Sequence, residues 1–215
     1  GLTPFESGGF ASWEKIKSFA WGVRQTIDKS IKIFAIYDRD YYCDEQILEI
    51  EAELKNELVD AQILFRKEME NYLLDIDVLQ RALEAQLQAK SKRAGISTVP
   101  EKNVQQYLLE ITDGVRLDAQ SQYVAKRIEF YRRSGKDIST LSRQAIHEFE
   151  DNWGDIRKRM SIVPGKQVLR SLREAVQRDL GVNLTDIQII EAYREPEIPA
   201  DIRSLIARLD VFRKK

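Results

Sequence analysis

Residues 31–40, Ile31-Lys32-Ile33-Phe34-Ala35-Ile36-Tyr37-Asp38-Arg39-Asp40, run β-branched and aromatic side chains straight into two acids. A short, nearly all-apolar run of this kind is expected of a strand covered on both faces. It stops abruptly at Asp38. A second short run, residues 61–65, stops in the same way at Arg66-Lys67-Glu68. Between the two, Ile47, Ile50, Leu54 and Leu58 recur at three- and four-residue steps, the period of a helix with one buried face. Upstream, after the loop Ser7-Gly8-Gly9, Trp13, Ile16, Phe19, Ala20 and Val23 mark another amphipathic helix that should end near Asp28. Helix, strand, helix, strand in this order predicts parallel pairing and an α/β class.

From Tyr72 onward the strand signal fades. Leu79/Leu83/Leu87, then Val104/Leu108/Ile111/Val115, then Val168/Leu172/Val176/Leu180 all keep helical spacing, and residues 101–133 read as one long amphipathic segment. Thr185 to Ile190 is the one later stretch that could be a strand. Residues 90–100 are polar and broken by Gly95 and Pro100, which predicts a mobile connector. The expectation is a small parallel sheet flanked by helices, followed by a mainly helical region.

At 215 residues and 43% hydrophobic, the chain can bury a real core as one domain or one and a half. Its 34 basic and 35 acidic side chains leave a net charge of −1, so a polyanion would be met by local patches rather than by a global field. A single cysteine, Cys43, and a single histidine, His147, exclude an internal disulfide and Cys/His zinc sites, and point to a reducing, cytoplasmic setting. No apolar run approaches the ~20 residues of a membrane helix, and the first residues lack a secretory layout. The opening GLTPFESGG reads as the middle of something longer.

Residues two apart on a strand point to the same side, so Asp38 and Asp40 at a strand end can aim two carboxylates at one point. Glu68 and Glu70 repeat the arrangement one strand later. In an open parallel sheet ligands sit outside the carboxyl ends of the strands, where both pairs fall. Four crowded carboxylates repel one another unless a cation joins them, and Mg²⁺ or Mn²⁺ favours such a hard oxygen environment. The plainer readings stay open: acids after a strand are common, and Glu68 and Glu70 also suit a solvated first helical turn beside the positive end of the dipole.

On these residues the chain resembles a known family. Phe34-Ala35-Ile36-Tyr37-Asp38-Arg39-Asp40, followed by Leu64-Phe65-Arg66-Lys67-Glu68-Met69-Glu70-Asn71-Tyr72-Leu73-Leu74, looks like the Toprim domain of OLD-family (overcoming lysogenization defect) nucleases. The likeness covers mostly residues 8–76, and Val163-Pro164-Gly165-Lys166 resembles a later family segment in which a basic residue assists the chemistry. It implies a Toprim core over 1–76, a helical insertion or interaction region over 77–162, and helices completing the domain over 163–215. It further implies a Mg²⁺- or Mn²⁺-dependent DNA endonuclease, of a kind often found in phage defence. Asp38, Asp40, Glu68 and Glu70 would hold the metal, and Lys166 would join them in catalysis. The family's first strand, which ends in a catalytic glutamate, would lie upstream of this chain, and Glu6 does not replace it. So would an ATPase domain using ATP, since no phosphate-binding Gly-Lys-[Ser/Thr] loop occurs here.

Two other function classes compete. A strand ending in Asp-x-Asp also opens phosphatases of the haloacid-dehalogenase type, with Asp38 as nucleophile; Tyr42 stands where that family wants Thr or Val, and its later Gly-Asp motif is missing. A non-catalytic helical module for interaction or homodimerisation is the other. Lys90/Lys92/Arg93, Lys126/Arg127, Arg132/Arg133/Lys136 and Arg157/Lys158/Arg159 could grip DNA backbone or simply form solvated faces. Tyr41 and Tyr42 are read as packing residues, His147 as a surface or partly buried structural residue, Cys43 as having no role, and Trp13, Trp21 and Trp153 as core or helix-packing residues.

Overall fold

The computed structural model describes residues 13–26, 32–56, 59–95, 99–135 and 137–214. Gly8, Gly9, Glu6, Leu58 and Lys136, and the side chain of Trp13, lie outside what is described. Two compact units are formed, one from residues 1–65 with 199–215 and the other from residues 66–198. The chain thus divides after Phe65 and after Ile198, whereas the sequence reading drew boundaries after residues 76 and 162 and kept 163–215 whole.

The first unit holds α1 (Trp13–Thr26), β1 (Ile33–Tyr37), α2 (Asp44–Asn56), β2 (Val59–Ile63) and the last helix, α10 (Ala200–Lys214). β1 and β2 pair in parallel with Ala35 opposite Ala61, as the alternation of helix and strand predicts. Tyr37 and Ile63 end the register, and the Leu64 N–H then donates to the Tyr37 carbonyl at 2.9 Å. Odd-numbered strand residues face one way: Ala35, Tyr37, Val59 and Ile63 form a core with Ala20 of α1 and Ile50 and Leu54 of α2. On the opposite face Phe34 meets Phe212 of α10 edge-on at 5.5 Å, while Arg208 stacks on Phe34 at 5.0 Å and donates to the Ala61 carbonyl at 3.0 Å. That face is only partly covered, because Ile36 is 41% exposed.

The second unit is all helical among the described residues. A 3₁₀ turn, Met69–Leu73, leads to α3 (Ile76–Ala94), α4 (Val104–Asp113), α5 (Arg116–Tyr131), a 3₁₀ turn Arg132–Ser134, α6 (Ile138–Gly154), α7 (Ile156–Ile162), α8 (Gly165–Leu180), α9 (Asp186–Glu191) and a 3₁₀ turn Glu195–Glu197. Asp75 starts α3 by accepting the Asp77 and Val78 N–H groups, and Gly95 ends it in a left-handed conformation, φ 67°. Residues 90–94 of the expected connector are instead helical, Lys90, Lys92 and Arg93 among them, and residues 96–98 lie outside the described residues. The expected long segment 101–133 breaks at Gly114, where Thr112 has already turned its hydroxyl back to the Leu108 carbonyl at 2.7 Å. Thr185 to Ile190 is not a strand. Thr185 caps α9 by accepting the Gln188 N–H, and the Gln188 side chain returns to the Thr185 N–H at 2.9 Å.

α5 and α6 form an antiparallel hairpin. Tyr123 packs on Phe149 at 5.6 Å and Phe149 stacks on Trp153 at 4.9 Å, while buried Arg127 pairs with Glu148 at 3.1 Å and donates to the Tyr123 hydroxyl at 2.9 Å. Trp153 is core as expected, but Trp21 is 65% exposed, because its position on α1 faces away from Ala20 and the sheet. Tyr41 and Tyr42 are buried packing residues, His147 is exposed beside Asp151, and Cys43 is buried. No helix among the described residues is long and apolar enough to cross a membrane.

Candidate metal centre

Asp38 and Asp40 lie just past β1, in the first unit. The strand ends at Tyr37, so the two-residue alternation that would align the carboxylates no longer governs them. The chain turns instead: Tyr42 N–H donates to the Arg39 carbonyl at 3.3 Å, and Asp40 takes the left-handed conformation, φ 50°, which Asp tolerates better than most residues. Arg39 ties the turn down from its side chain, donating to the Tyr42 carbonyl at 3.2 Å and pairing with Asp44. Both acids are half-buried, and the three residues that follow, Tyr41, Tyr42 and Cys43, are buried.

Glu68 and Glu70 belong to the second unit, and neither follows a strand directly. β2 ends at Ile63, and Glu68 begins the 3₁₀ turn Met69–Leu73. The turn is fastened by Asn71, which is completely buried. Its Oδ1 accepts the Glu68 N–H at 2.8 Å, and its amide nitrogen donates to the carbonyls of Met160 at 2.7 Å and Val163 at 2.9 Å. Arg66 adds a strap, donating to the Asn71 carbonyl at 2.8 Å with its guanidinium 4.8 Å from the centre of the Tyr72 ring. The Lys67 N–H donates to the Ser161 carbonyl at 2.9 Å. The turn is thereby pinned to the junction of α7 and α8.

That junction brings Lys166 to the acids. Glu68 Oε2 accepts the Lys166 backbone N–H at 2.9 Å, at the open first turn of α8, and Glu68 Oε1 pairs with the ammonium of Lys67. Both partners are withdrawn from water, with side chains 8% and 13% exposed. Glu68 is therefore not the solvated helix-start acid of the plainer reading. Glu70 differs: its Oε1 stands 3.9 Å from Lys166 Nζ, and its Oε2 is buried with no hydrogen-bond partner. A buried carboxylate oxygen left unpaired is costly and is the kind of donor a hard cation satisfies.

Of the five residues singled out by sequence, Glu68, Glu70 and Lys166 come together within the second unit, and Asp38 and Asp40 belong to the turn after β1 in the first. Among the described residues no three His, Cys, Asp or Glu side chains gather into a ready-made cation site. Sequence reasoning gave no role to Asn71, Lys67 and Arg66, which hold the arrangement. The only hint was that a polar Asn sits between the acids and an apolar Tyr-Leu-Leu run, where burial makes its hydrogen bonds obligatory.

The basic clusters separate by partner. Arg159 is buried against the Trp153 carbonyl at 2.8 Å, Arg157 pairs with Asp77 at 2.8 Å, and Lys90 donates to the Leu180 carbonyl at 2.7 Å. Burial pushes the Arg159 guanidinium below its ordinary value. Comparison with protein-family models, with curated proteins and with solved structures yields no match for this chain.

Proposed function

We propose that this chain is a Toprim-type, divalent-metal-dependent DNA endonuclease domain of a larger ATPase-nuclease of the OLD kind, acting in the cytoplasm. The observation that carries the reading is Glu70, whose buried Oε2 lacks a partner on a turn held rigidly beside Lys166. The parallel β1–β2 pair and the acids that follow it support the same reading. Asp38, Asp40, Glu68 and Glu70 are the residues to hold Mg²⁺ or Mn²⁺. Bound metal supplies an activated water and stabilises the leaving oxygen in phosphodiester hydrolysis.

The chain's own residues do the rest. Lys166, at the exposed start of α8, neutralises charge that develops on the phosphate. Asn71 and Lys67 hold Glu68, and with it the turn that carries Glu70. The experiment is a nicking assay on supercoiled DNA with Mn²⁺, comparing wild type with Asp38→Ala, Glu70→Ala and Lys166→Ala. Metal-dependent nicking lost in all three supports the proposal. Nicking retained by Asp38→Ala and Glu70→Ala sinks it.

A second reading, a non-catalytic helical interaction or dimerisation module, is favoured by one observation: Leu117, Ile138 and Ile146 of the α5–α6 hairpin are 77%, 50% and 43% exposed. Sedimentation of wild type and Leu117→Ser distinguishes it, since a dimer held through Leu117 dissociates in the variant.

A further inference from the structure

Helices α5 and α6 are locked together well below their connection. Arg127, Glu148, Tyr123, Phe149 and Trp153 build a packed stem in which the buried Arg127 guanidinium is matched by an acid and a hydroxyl. Beyond that stem Leu141 and Ala145 of α6 are still buried, but exposed positions around them carry charge. There the chain carries Arg132 and Arg133 in the 3₁₀ turn and Arg143 on the first turns of α6, all three exposed. None of them makes an ion pair or side-chain hydrogen bond among the described residues. The contrast with the other clusters is the informative point: Arg157, Arg159, Arg127 and Lys90 are each consumed by a partner inside the unit.

The nearby acids are committed elsewhere. Glu129 pairs with Lys126 at 2.9 Å, and Asp137 accepts the Thr140 N–H at 3.0 Å as the cap of α6. That backbone hydrogen bond holds the Asp137 carboxyl below its ordinary value. The tip therefore presents three uncommitted guanidinium groups on a packed support, in a molecule whose net charge is only −1. Arginine forks match phosphate oxygens in pairs, and a local cluster is what a nearly neutral protein needs to hold a polyanion.

We propose that the tip of the α5–α6 hairpin, through Arg132, Arg133 and Arg143, is a sequence-independent contact for the phosphate backbone of DNA. The identity of the polyanion rests on the nuclease reading above; the surface itself does not. Contact of this type is read by salt: each phosphate neutralised contributes about 0.9 to the slope of log affinity against log salt for duplex DNA.

The test is fluorescence anisotropy of a short labelled duplex across a salt series, with wild type, the triple variant Arg132→Ala/Arg133→Ala/Arg143→Ala, and a control that removes the same charge, Arg170→Ala/Arg178→Ala/Arg213→Ala. The control arginines all pair with acids on the surface. The expected result is at least a tenfold loss of affinity for the tip variant and a slope smaller by about 2 to 3, with the control near wild type. A tip variant that binds like the control overturns the proposal, as does a wild type that fails to bind the duplex at low salt. Phosphatidylserine vesicles form the second arm: tip-dependent binding to vesicles without binding to duplex overturns the nucleic-acid assignment in favour of a lipid surface. Tip-dependent duplex binding in a wild type that never nicks DNA with Mn²⁺ would leave this surface standing while the nuclease reading fails.

Discussion

Gly165 lies so close to Asn71 that a Cβ placed on it would sit 2.6 Å from the Asn71 Oδ1 and 2.9 Å from the Asn71 backbone nitrogen. Asn71 cannot step aside, because its amide is held by two carbonyls of the α7–α8 junction. The contact is what lets the start of α8 deliver Lys166 to Glu68. Gly165→Ala should destabilise the second unit by about 1–3 kcal/mol, the usual cost of overpacking, even though alanine favours a helix. Urea denaturation with an unchanged slope checks this. An alanine variant as stable as wild type would mean that the turn and α8 are free to separate.

Asn71→Ala removes three side-chain hydrogen bonds from a fully buried site. Each buried polar group left unpaired costs about 1–3 kcal/mol, so a total loss of roughly 3 kcal/mol or more is expected. Hydrogen exchange gives the sharper readout. The Glu68 amide should lose its protection in this variant while amides in the middle of α3 keep theirs. Equal loss at both places would instead indicate global unfolding.

Glu68 and Glu70 should respond in opposite ways to removal. Glu68→Ala removes a carboxylate that pairs with the buried ammonium of Lys67 and accepts the Lys166 N–H, a loss of about 3 kcal/mol by the rule for breaking a buried pair. Glu70→Ala deletes an unpaired buried oxygen and should leave the melting temperature unchanged or raised. Parallel thermal melts without metal decide it, and a Glu70→Ala variant less stable than Glu68→Ala would contradict the division of labour.

Alkali should unfold the protein partly through Tyr193. Burial, with the charge of Asp75 adding to it, pushes its phenol up to about 12 from 10.0, while its hydroxyl donates to the Tyr72 carbonyl. A raised value means that the folded state keeps the proton longer. The contribution is thus complete below pH 10.0 and is lost as pH rises through about 12. Burial pushes Tyr37 up to about 12 as well. Ultraviolet titration of Tyr193→Phe should lose one late-titrating tyrosine; an unchanged late phase would show that Tyr193 ionises with the exposed phenols.

The period of the apolar residues was enough to read α1, β1, α2, β2 and α8, because burial of one face or of a whole strand writes itself into spacing. α9 was missed because Ile187, Ile189 and Ile190 look like a strand. Thr185 and Gln188, spaced as a reciprocal cap, were the better guide, since two satisfied backbone groups outweigh a weak β preference in so short a stretch. Residue type singled out Glu68, Glu70 and Lys166, which the fold brings together, but the geometry of the candidate site was not legible. The strand alternation invoked for Asp38/Asp40 and Glu68/Glu70 fails because both pairs lie past the strand ends, where a turn with a left-handed Asp40 and an Asn71-fastened 3₁₀ turn set the directions. Asn71, Lys67 and Gly165 act through contacts with residues far along the chain, which no local pattern encodes.

The most direct test of the metal reading is calorimetric titration of the chain with Mn²⁺, alongside Asp38→Ala and Glu70→Ala. The expected result is saturable binding in wild type that is lost in both variants. Binding unaffected by either substitution, or no binding in wild type, would contradict it and leave the helical interaction module as the better description.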